Sequence, residues 1–223
     1  MPTALVIQHA AVEGPGRFAE WLPSHGLELD VVHAYAGYPV PDVMEHDALI
    51  VMGGPMGAYD DVDVPWLAAT KKLLADAVEA ELPTLGICLG AQLLAVATGG
   101  KVERGAAGPE LGLGEVTGDG SDRVLLSGPY VVVQWHYDTV TELPPDATLL
   151  ASSALYPVQA FRVGEAAWGL QFHVEATPEL VGKWARAEGR EVEGIVEPIR
   201  HAEKSLALIG EAIARRFAYV VSR

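Results

Sequence analysis

The chain contains a single cysteine, Cys88, and the residues around it constrain the fold more than any other stretch. Residues 84–87 form a short apolar run typical of a buried strand, and residues 89–95 have the pattern of a buried helix. Cys88 therefore falls on the turn between them. Gly86 and Gly90 flank it, and glycines let a strand and a helix pack closely around a strained turn. The pattern predicts a nucleophile elbow at the carboxyl edge of a sheet.

Two interpretations of Cys88 follow from these residues alone. A cysteine at the start of a helix meets the positive end of the helix dipole, which favours the nucleophilic thiolate. A lone cysteine is also commonly a buried core residue. Other parts of the chain must decide between a catalytic thiol and a packing residue.

Composition and charge limit the classes of protein to which the chain can belong. Its 223 residues are 50% hydrophobic, which is long and apolar enough for one substantial core. The formal net charge of -15 predicts an acidic surface that repels nucleic acid and anionic membranes, so we expect neither as a partner. No apolar stretch has the length of a membrane span, and no basic segment precedes the first apolar run. One cysteine cannot form an intrachain disulfide, and we therefore expect a cytoplasmic protein.

Strand and helix patterns alternate through the first half of the chain, which predicts a largely parallel sheet. Strands are predicted at residues 5–8, 27–32, 48–52 and 84–87, with one helix within residues 16–25. A second helix is predicted to begin near Pro65, with Asp63 as its cap.

Beyond residue 100 the pattern changes to short alternating runs without long helices between them, which predicts hairpins and a mixed sheet. These runs cover residues 101–104, 112–116, 130–134, 148–152, 158–163 and 168–172. Helices follow at about 178–187, capped by Thr177, and at 194–219. We therefore expect one α/β domain over residues 1–223, with a central, mostly parallel or mixed sheet flanked by helices.

The stretch 169–175 offers an imidazole and a carboxylate near the end of a predicted strand. His173 and Glu175 are two residues apart, so the period of a strand places both side chains on one face. An imidazole near Cys88 can take its proton and later give it to a leaving amine, while Glu175 orients and stabilises the imidazole. The alternative is a hydrogen-bonded strand-end histidine beside a solvated glutamate. The scattered histidines lack zinc-site spacing, so we predict no metal.

Three motifs in this order resemble the class I glutamine amidotransferases. They are Gly53-Gly54-Pro55, residues 86–92 and residues 171–175, and the similarity spans roughly residues 5–175. Residues 134–138 resemble a stretch found in stand-alone proteins related to the amidotransferase domain of GMP synthetase. The resemblance implies a flavodoxin-like α/β fold and a triad of Cys88, His173 and Glu175.

The resemblance also implies a reaction that needs no cofactor. Cys88 would attack the γ-carboxamide carbon of glutamine, ammonia would leave, and water would hydrolyse the γ-glutamyl thioester. Backbone N–H groups of Gly54 and Leu89 would form the oxyanion hole, whose dipoles are fixed before charge develops. The residues implied in substrate binding are Gln92, the main chain near Met56, and the main chain around His136 and Tyr137.

Two positions depart from the family pattern. Val174 stands where many relatives have proline, and Gly57 stands where many have serine or threonine. Gly57 adds backbone freedom that would make the oxyanion loop less rigid. Trp135 and Tyr137 are candidates for walls of the site, although an aromatic residue beside a strand usually serves packing.

Three functions remain open from the sequence. The first is a glutaminase that passes ammonia to a separate acceptor enzyme. The loop after residue 52 lacks the Lys-Ser/Thr of a phosphate-binding loop, so we do not expect the chain itself to be a complete ATP-dependent amide synthetase. The second is a stand-alone γ-glutamyl peptidase or hydrolase, since a thioester pathway accepts any leaving amine. The third is a catalytically idle binding module, because fold alone does not establish activity.

Overall fold

The elements that position Cys88 are the short parallel strands of the first half of the chain. In the computed structural model, which describes residues 1–120 and 122–223, the helices are α1 (Phe18–Ser24), α2 (Trp66–Glu79), α3 (Leu89–Ala97), α4 (Pro178–Ala187) and α5 (Glu193–Val221). The strands are β1 (Thr3–Gln8), β2 (Glu28–His33), β3 (Ala48–Val51), β4 (Thr84–Ile87), β5 (Lys101–Arg104), β6 (Glu110–Asp119), β7 (Ser127–His136), β8 (Asp138–Glu142), β9 (Ala147–Ser152), β10 (Ala160–Val163) and β11 (Ala167–Leu170).

Nine strands form one mixed sheet in the order β2-β1-β3-β4-β11-β10-β9-β6-β7. The strands from β2 to β11 in this order pair in parallel, and those from β11 to β7 pair antiparallel. Strands β5 and β8 form a separate antiparallel pair. The predicted α/β fold class, with a mixed sheet flanked by helices, is confirmed.

Both faces of the central parallel strands β3, β4 and β11 are buried, which explains why these strands are almost entirely apolar. Alternate residues such as Val6 and Ile50 pack with α1 and α5, while Leu5 and Leu49 pack with α2 and α3 on the other face. The carboxyl ends of β3, β4 and β11 therefore lie side by side at one edge of the sheet, where ligands bind in folds of this kind.

The structure differs from the sequence prediction in three local details. The predicted strand at 168–172 ends at Leu170, and β8 was not predicted. Asp63 does not cap α2, because Pro65 occupies the N-cap position and Asp63 lies too far upstream to reach the first free N–H groups. Thr177 caps α4 as predicted, accepting a hydrogen bond of 3.2 Å from the Leu180 N–H. No helix within residues 1–120 and 122–223 is long and apolar enough to cross a membrane.

Candidate active site

Cys88 occupies a strained turn between β4 and α3, as the flanking glycines predict. Its φ of 52° and ψ of -106° lie in a region that residues with a side chain rarely adopt. A Cβ on Gly90 would lie 2.0 Å from the Val51 carbonyl oxygen, and one on Gly86 would lie 2.6 Å from the Gly90 carbonyl. Only glycine fits at both positions, so the close packing of the sheet and α3 fixes the turn. The Cys88 N–H also donates to the Leu170 carbonyl at 2.7 Å, which ties the turn to β11.

His173 and Glu175 lie just beyond β11, where the chain leaves the regular ladder. The His173 N–H donates to the Val133 carbonyl at 2.8 Å in an isolated bridge, which holds the histidine without a continuous strand. His173 Nδ1 lies 2.7 Å from Glu175 Oε1. The Trp184 ring packs on the imidazole with a centroid distance of 4.7 Å. The predicted contact between imidazole and carboxylate is therefore present, although the predicted strand stops earlier.

The electrostatics of His173 favour the imidazolium. Burial opposes its charge, but interactions with Glu175 and Cys88 outweigh burial and raise the pKa of His173 well above 6.5. The Cys88 Sγ atom lies 3.6 Å from the Trp135 carbonyl oxygen. It accepts a hydrogen bond from the Gln171 side-chain amide, whose Nε2 lies 3.7 Å away. Cys88 and His173 lie near each other, because a Cβ built on Gly53 would lie 3.7 Å from Cys88 Cβ and 3.2 Å from His173 Cε1.

The loop after β3 carries the N–H of Gly54 and packs on the start of α3. The Gly54 N–H has no acceptor within residues 1–120 and 122–223, and the N–H of Leu89, the first residue of α3, has no intrahelical acceptor. A Cβ on Gly54 would lie 2.6 Å from Met56 Sδ and 2.9 Å from Leu89 Cδ2, so the loop packs directly on the start of α3. Gly57, expected to loosen the loop, donates its N–H to Asp60 Oδ2 at 2.7 Å. The Asp60 side chain thus restrains it.

All four residues expected to bind substrate line the same cavity, but three of them have side chains already engaged. Gln92 Nε2 donates to the Asp138 carbonyl at 3.0 Å and to Gln171 Oε1 at 3.2 Å. His136 lies 3.0 Å from both the Asp138 carbonyl and Glu110 Oε2. The Tyr137 hydroxyl donates to Glu188 and accepts from Arg190. These bonds favour structural roles for the three side chains and leave the main chain around them, together with Met56, for ligand contacts.

The cavity above Cys88 has a volume of about 560 Å³ and contains residues that sequence reasoning missed. Its further walls are Glu13, Asp60, Arg104, Trp135, Trp184 and Glu188. Glu13 follows β1, and a ligand site at the carboxyl ends of parallel strands would have pointed to its loop. Glu188 and Trp184 belong to α4 and its end, and no local pattern indicates that this helix covers the site. Trp135 is confirmed as a wall and donates through Nε1 to Glu188 Oε1 at 2.8 Å.

Known proteins resemble this chain in sequence and in structure. The sequence model of "Glutamine amidotransferase class-I" matches residues 19–186. Gamma-glutamyl peptidase 3 of Arabidopsis thaliana is 30% identical over 63% of this chain and 59% of its own length. One subunit of the glutamine-hydrolysing GMP synthase of Saccharolobus solfataricus is 33% identical over 67% of this chain and 77% of its own. A glutamine amidotransferase structure from Thermotoga maritima superposes with a TM-score of 0.87 at 29% identity, covering 97% of this chain and 98% of the other.

The match to the family covers most of the described sheet and both stretches that carry Cys88 and His173. The structural similarity extends over nearly the whole chain. The chain therefore belongs to the class I glutamine amidotransferase family.

Proposed function

We propose that the chain hydrolyses the γ-carboxamide of glutamine through a γ-glutamyl thioester on Cys88 and releases ammonia to an acceptor on a separate protein. The observation that carries this proposal is the strained turn that places Cys88 beside His173 in the cavity, with the His173 imidazole 2.7 Å from the Glu175 carboxylate behind it. A packing cysteine needs neither a strained turn nor a charged imidazole beside it.

The proposed reaction uses each group in turn. The Cys88 sulfur forms a bond to the amide carbon, and the oxygen that gains negative charge is held by the N–H groups of Gly54 and Leu89. The His173 imidazolium then protonates the amide nitrogen as the carbon–nitrogen bond breaks, and ammonia leaves. The neutral imidazole next takes a proton from water, whose oxygen attacks the thioester carbon, and glutamate and free thiolate result.

The proposal assigns distinct roles to the remaining wall residues. The main chain near Met56 and around His136 and Tyr137 would hold the amino acid end of the substrate, while Gln92 supports this wall through Asp138. The match to one chain of a GMP synthase supports an acceptor on another chain. The single free thiol supports a reducing compartment, for which we propose the cytoplasm.

Replacement of the nucleophile tests the core of the proposal. Cys88→Ala should fold normally and release no ammonia from glutamine, whereas Cys88→Ser should retain a small fraction of the wild-type rate. Intact-mass measurement of the wild-type protein, quenched with acid during turnover, should show one γ-glutamyl group on the peptide that contains Cys88. Ammonia release by folded Cys88→Ala would refute the assignment.

A stand-alone γ-glutamyl peptidase is the second candidate, and the match to gamma-glutamyl peptidase 3 favours it. Kinetics of the purified chain on glutamine and on γ-glutamyl dipeptides at matched concentrations separate the two. A kcat/KM far higher for the dipeptides would refute ammonia supply. An enzyme idle on both substrates until an acceptor protein is added would refute the peptidase.

A further inference from the structure

Glu13 places a carboxyl group beside the catalytic floor, in a position that the proposed reaction does not use. Its loop follows β1, and its side chain lines the cavity. A Cβ built on Gly53 would lie 3.1 Å from Glu13 Oε2, 3.2 Å from His173 Cε1 and 3.7 Å from Cys88 Cβ. The Glu13 carboxyl, the edge of the His173 ring and Cys88 Cβ thus surround one position, which no side chain fills because residue 53 is glycine.

The Glu13 carboxyl has no hydrogen-bond or ion-pair partner within residues 1–120 and 122–223. The charged groups that act on it are His173, Glu175 and Glu188, and two of these three are acids. Arg190, which follows α4, is bonded to Glu188 at 2.8 Å. Desolvating a carboxylate without a partner is costly, so this position favours a cation supplied from outside the chain.

The proposed reaction decides which part of the substrate meets Glu13. His173 must protonate the amide nitrogen, so the leaving amine lies on the imidazole side of the scissile bond. Glu13 borders this imidazole, whereas the residues assigned to the amino acid end lie around Met56 and Tyr137. We infer that Glu13 forms a leaving-group subsite that selects γ-glutamyl amides of neutral or cationic amines and rejects anionic ones. This inference rests on the proposed function and names its substrate class.

The selection follows from charge alone. A γ-glutamyl dipeptide carries the carboxylate of its leaving amino acid close to the scissile nitrogen, where Glu13 repels it. Ammonia carries no such group, and an alkylamine with a second ammonium group would pair with Glu13. Burial, reinforced by Glu175 and Glu188 and opposed by His173, raises the pKa of Glu13 to about 7. The selection should therefore strengthen as the pH rises through 7, because the carboxyl is neutral below that value.

Three amides of matched length test the subsite. They are the γ-glutamyl amides of butylamine, of 1,4-diaminobutane and of 4-aminobutyrate, which share a four-carbon chain whose far end is uncharged, cationic or anionic. At pH 8 the wild-type kcat/KM should fall about tenfold from the cationic to the neutral amide and about tenfold again to the anionic one, as expected for a partly screened charge a few ångströms away. At pH 6 the ratios should shrink. Ratios between substrates cancel the pH dependence that the three reactions share.

Glu13→Gln should bring the three values of kcat/KM within about threefold of one another, while the butylamide remains a substrate. Glu20→Gln removes the same charge from an exposed position on α1 and should preserve the wild-type order. Equal rates on all three amides in the wild type, or an unchanged order in Glu13→Gln, would overturn the subsite and leave the proposed hydrolysis intact.

Binding provides a readout that does not depend on turnover. The affinity of the Cys88→Ala protein for the three amides, measured by calorimetry, should follow the same order of charge. If the wild type releases no ammonia from glutamine but Cys88→Ala binds the amides in this order, the subsite stands and the hydrolysis is wrong. If none of the amides binds, the subsite is wrong, and ammonia release from glutamine decides the hydrolysis separately.

Discussion

The floor and the rim of the cavity are built in different ways. The floor consists of Cys88 and His173, with Glu175 directly behind the imidazole, and the three residues are 7%, 2% and 1% exposed. Main-chain hydrogen bonds to β11 and β7 hold the first two. The rim consists of Arg104, Tyr137, Glu188 and Arg190 and is held by side chains: Glu188 and Arg190 pair at 2.8 Å while remaining 33% and 35% exposed, and Arg104 stacks on Tyr137 at 4.4 Å.

This difference teaches where the protein tolerates change. Backbone bonds inside a packed sheet have one arrangement, and a shift there is transmitted to the reacting atoms. Exposed ion pairs contribute little free energy and can be remade with other partners. Activity should therefore fall steeply with changes in the floor and gradually with changes in the rim.

The largest effect is expected for Glu175→Gln. The amide keeps the shape of the side chain but removes the charge that raises the pKa of His173, so kcat should fall by about 10²- to 10⁴-fold. The KM for glutamine should change little, because Glu175 is buried behind the imidazole. Steady-state kinetics measure both values, and a raised KM with an unchanged kcat would contradict the positioning role.

Gly54→Ala should have the next largest effect. The new Cβ would clash with Met56 Sδ and Leu89 Cδ2, so the loop must move. The N–H of residue 54 would then no longer be placed to donate to the oxyanion. The loss of one oxyanion donor typically lowers kcat by about 10²- to 10³-fold. Gly57→Ala is the matched control, because its Cβ would lie 3.3 Å from Asp60 Oδ1 and its N–H bond to Asp60 remains. Equal losses in both variants would refute the assignment of Gly54.

His9 tests the packing beneath the loop that carries Gly54, through the pH dependence of stability. Its Nδ1 accepts a hydrogen bond from Trp66 Nε1 at 3.1 Å beneath the oxyanion loop, and burial lowers its pKa to about 4. The unfolded chain has the ordinary pKa of 6.5 and binds the proton first as the pH falls, so this group destabilises the fold between pH 6.5 and 4. At pH 4 this loss in the free energy of unfolding amounts to about 3 kcal/mol.

Urea denaturation at pH 7 and pH 4.5 measures this loss in the wild type and in His9→Gln. The variant should lose less free energy of unfolding over the same interval, because glutamine does not titrate. Parallel losses in both proteins would show that His9 is not the group responsible.

The smallest effect is expected at the rim. Arg190→Gln removes the partner of Glu188 and Tyr137, both of which are partly exposed. We expect kcat to stay within about twofold and KM to rise less than about tenfold, with a difference that shrinks in high salt. A loss of kcat as large as that of Glu175→Gln would abolish the distinction between floor and rim.

Sequence patterns predicted the floor because its geometry follows from local rules. Gly86 and Gly90 marked the elbow, and the spacing of His173 and Glu175 predicted their contact even though β11 ends before them. The rim was not predictable in this way. Glu188 reaches the cavity only because α4 packs beside β7, and β8 was missed because its residues, Asp138–Glu142, alternate weakly and carry charge at both ends.

Cys88 itself carries a thermodynamic conflict. Its φ of 52° and ψ of -106° suit glycine, and a residue with a Cβ pays about 1 to 3 kcal/mol to hold such a conformation. Glycine at this position would remove the strain from the folded state. It would also raise the conformational entropy of the unfolded chain, but this destabilises the fold by less than about 1 kcal/mol. The inactive Cys88→Gly protein should therefore be harder to unfold than the active one. A lineage that lost the need for the reaction would gain stability by discarding its nucleophile.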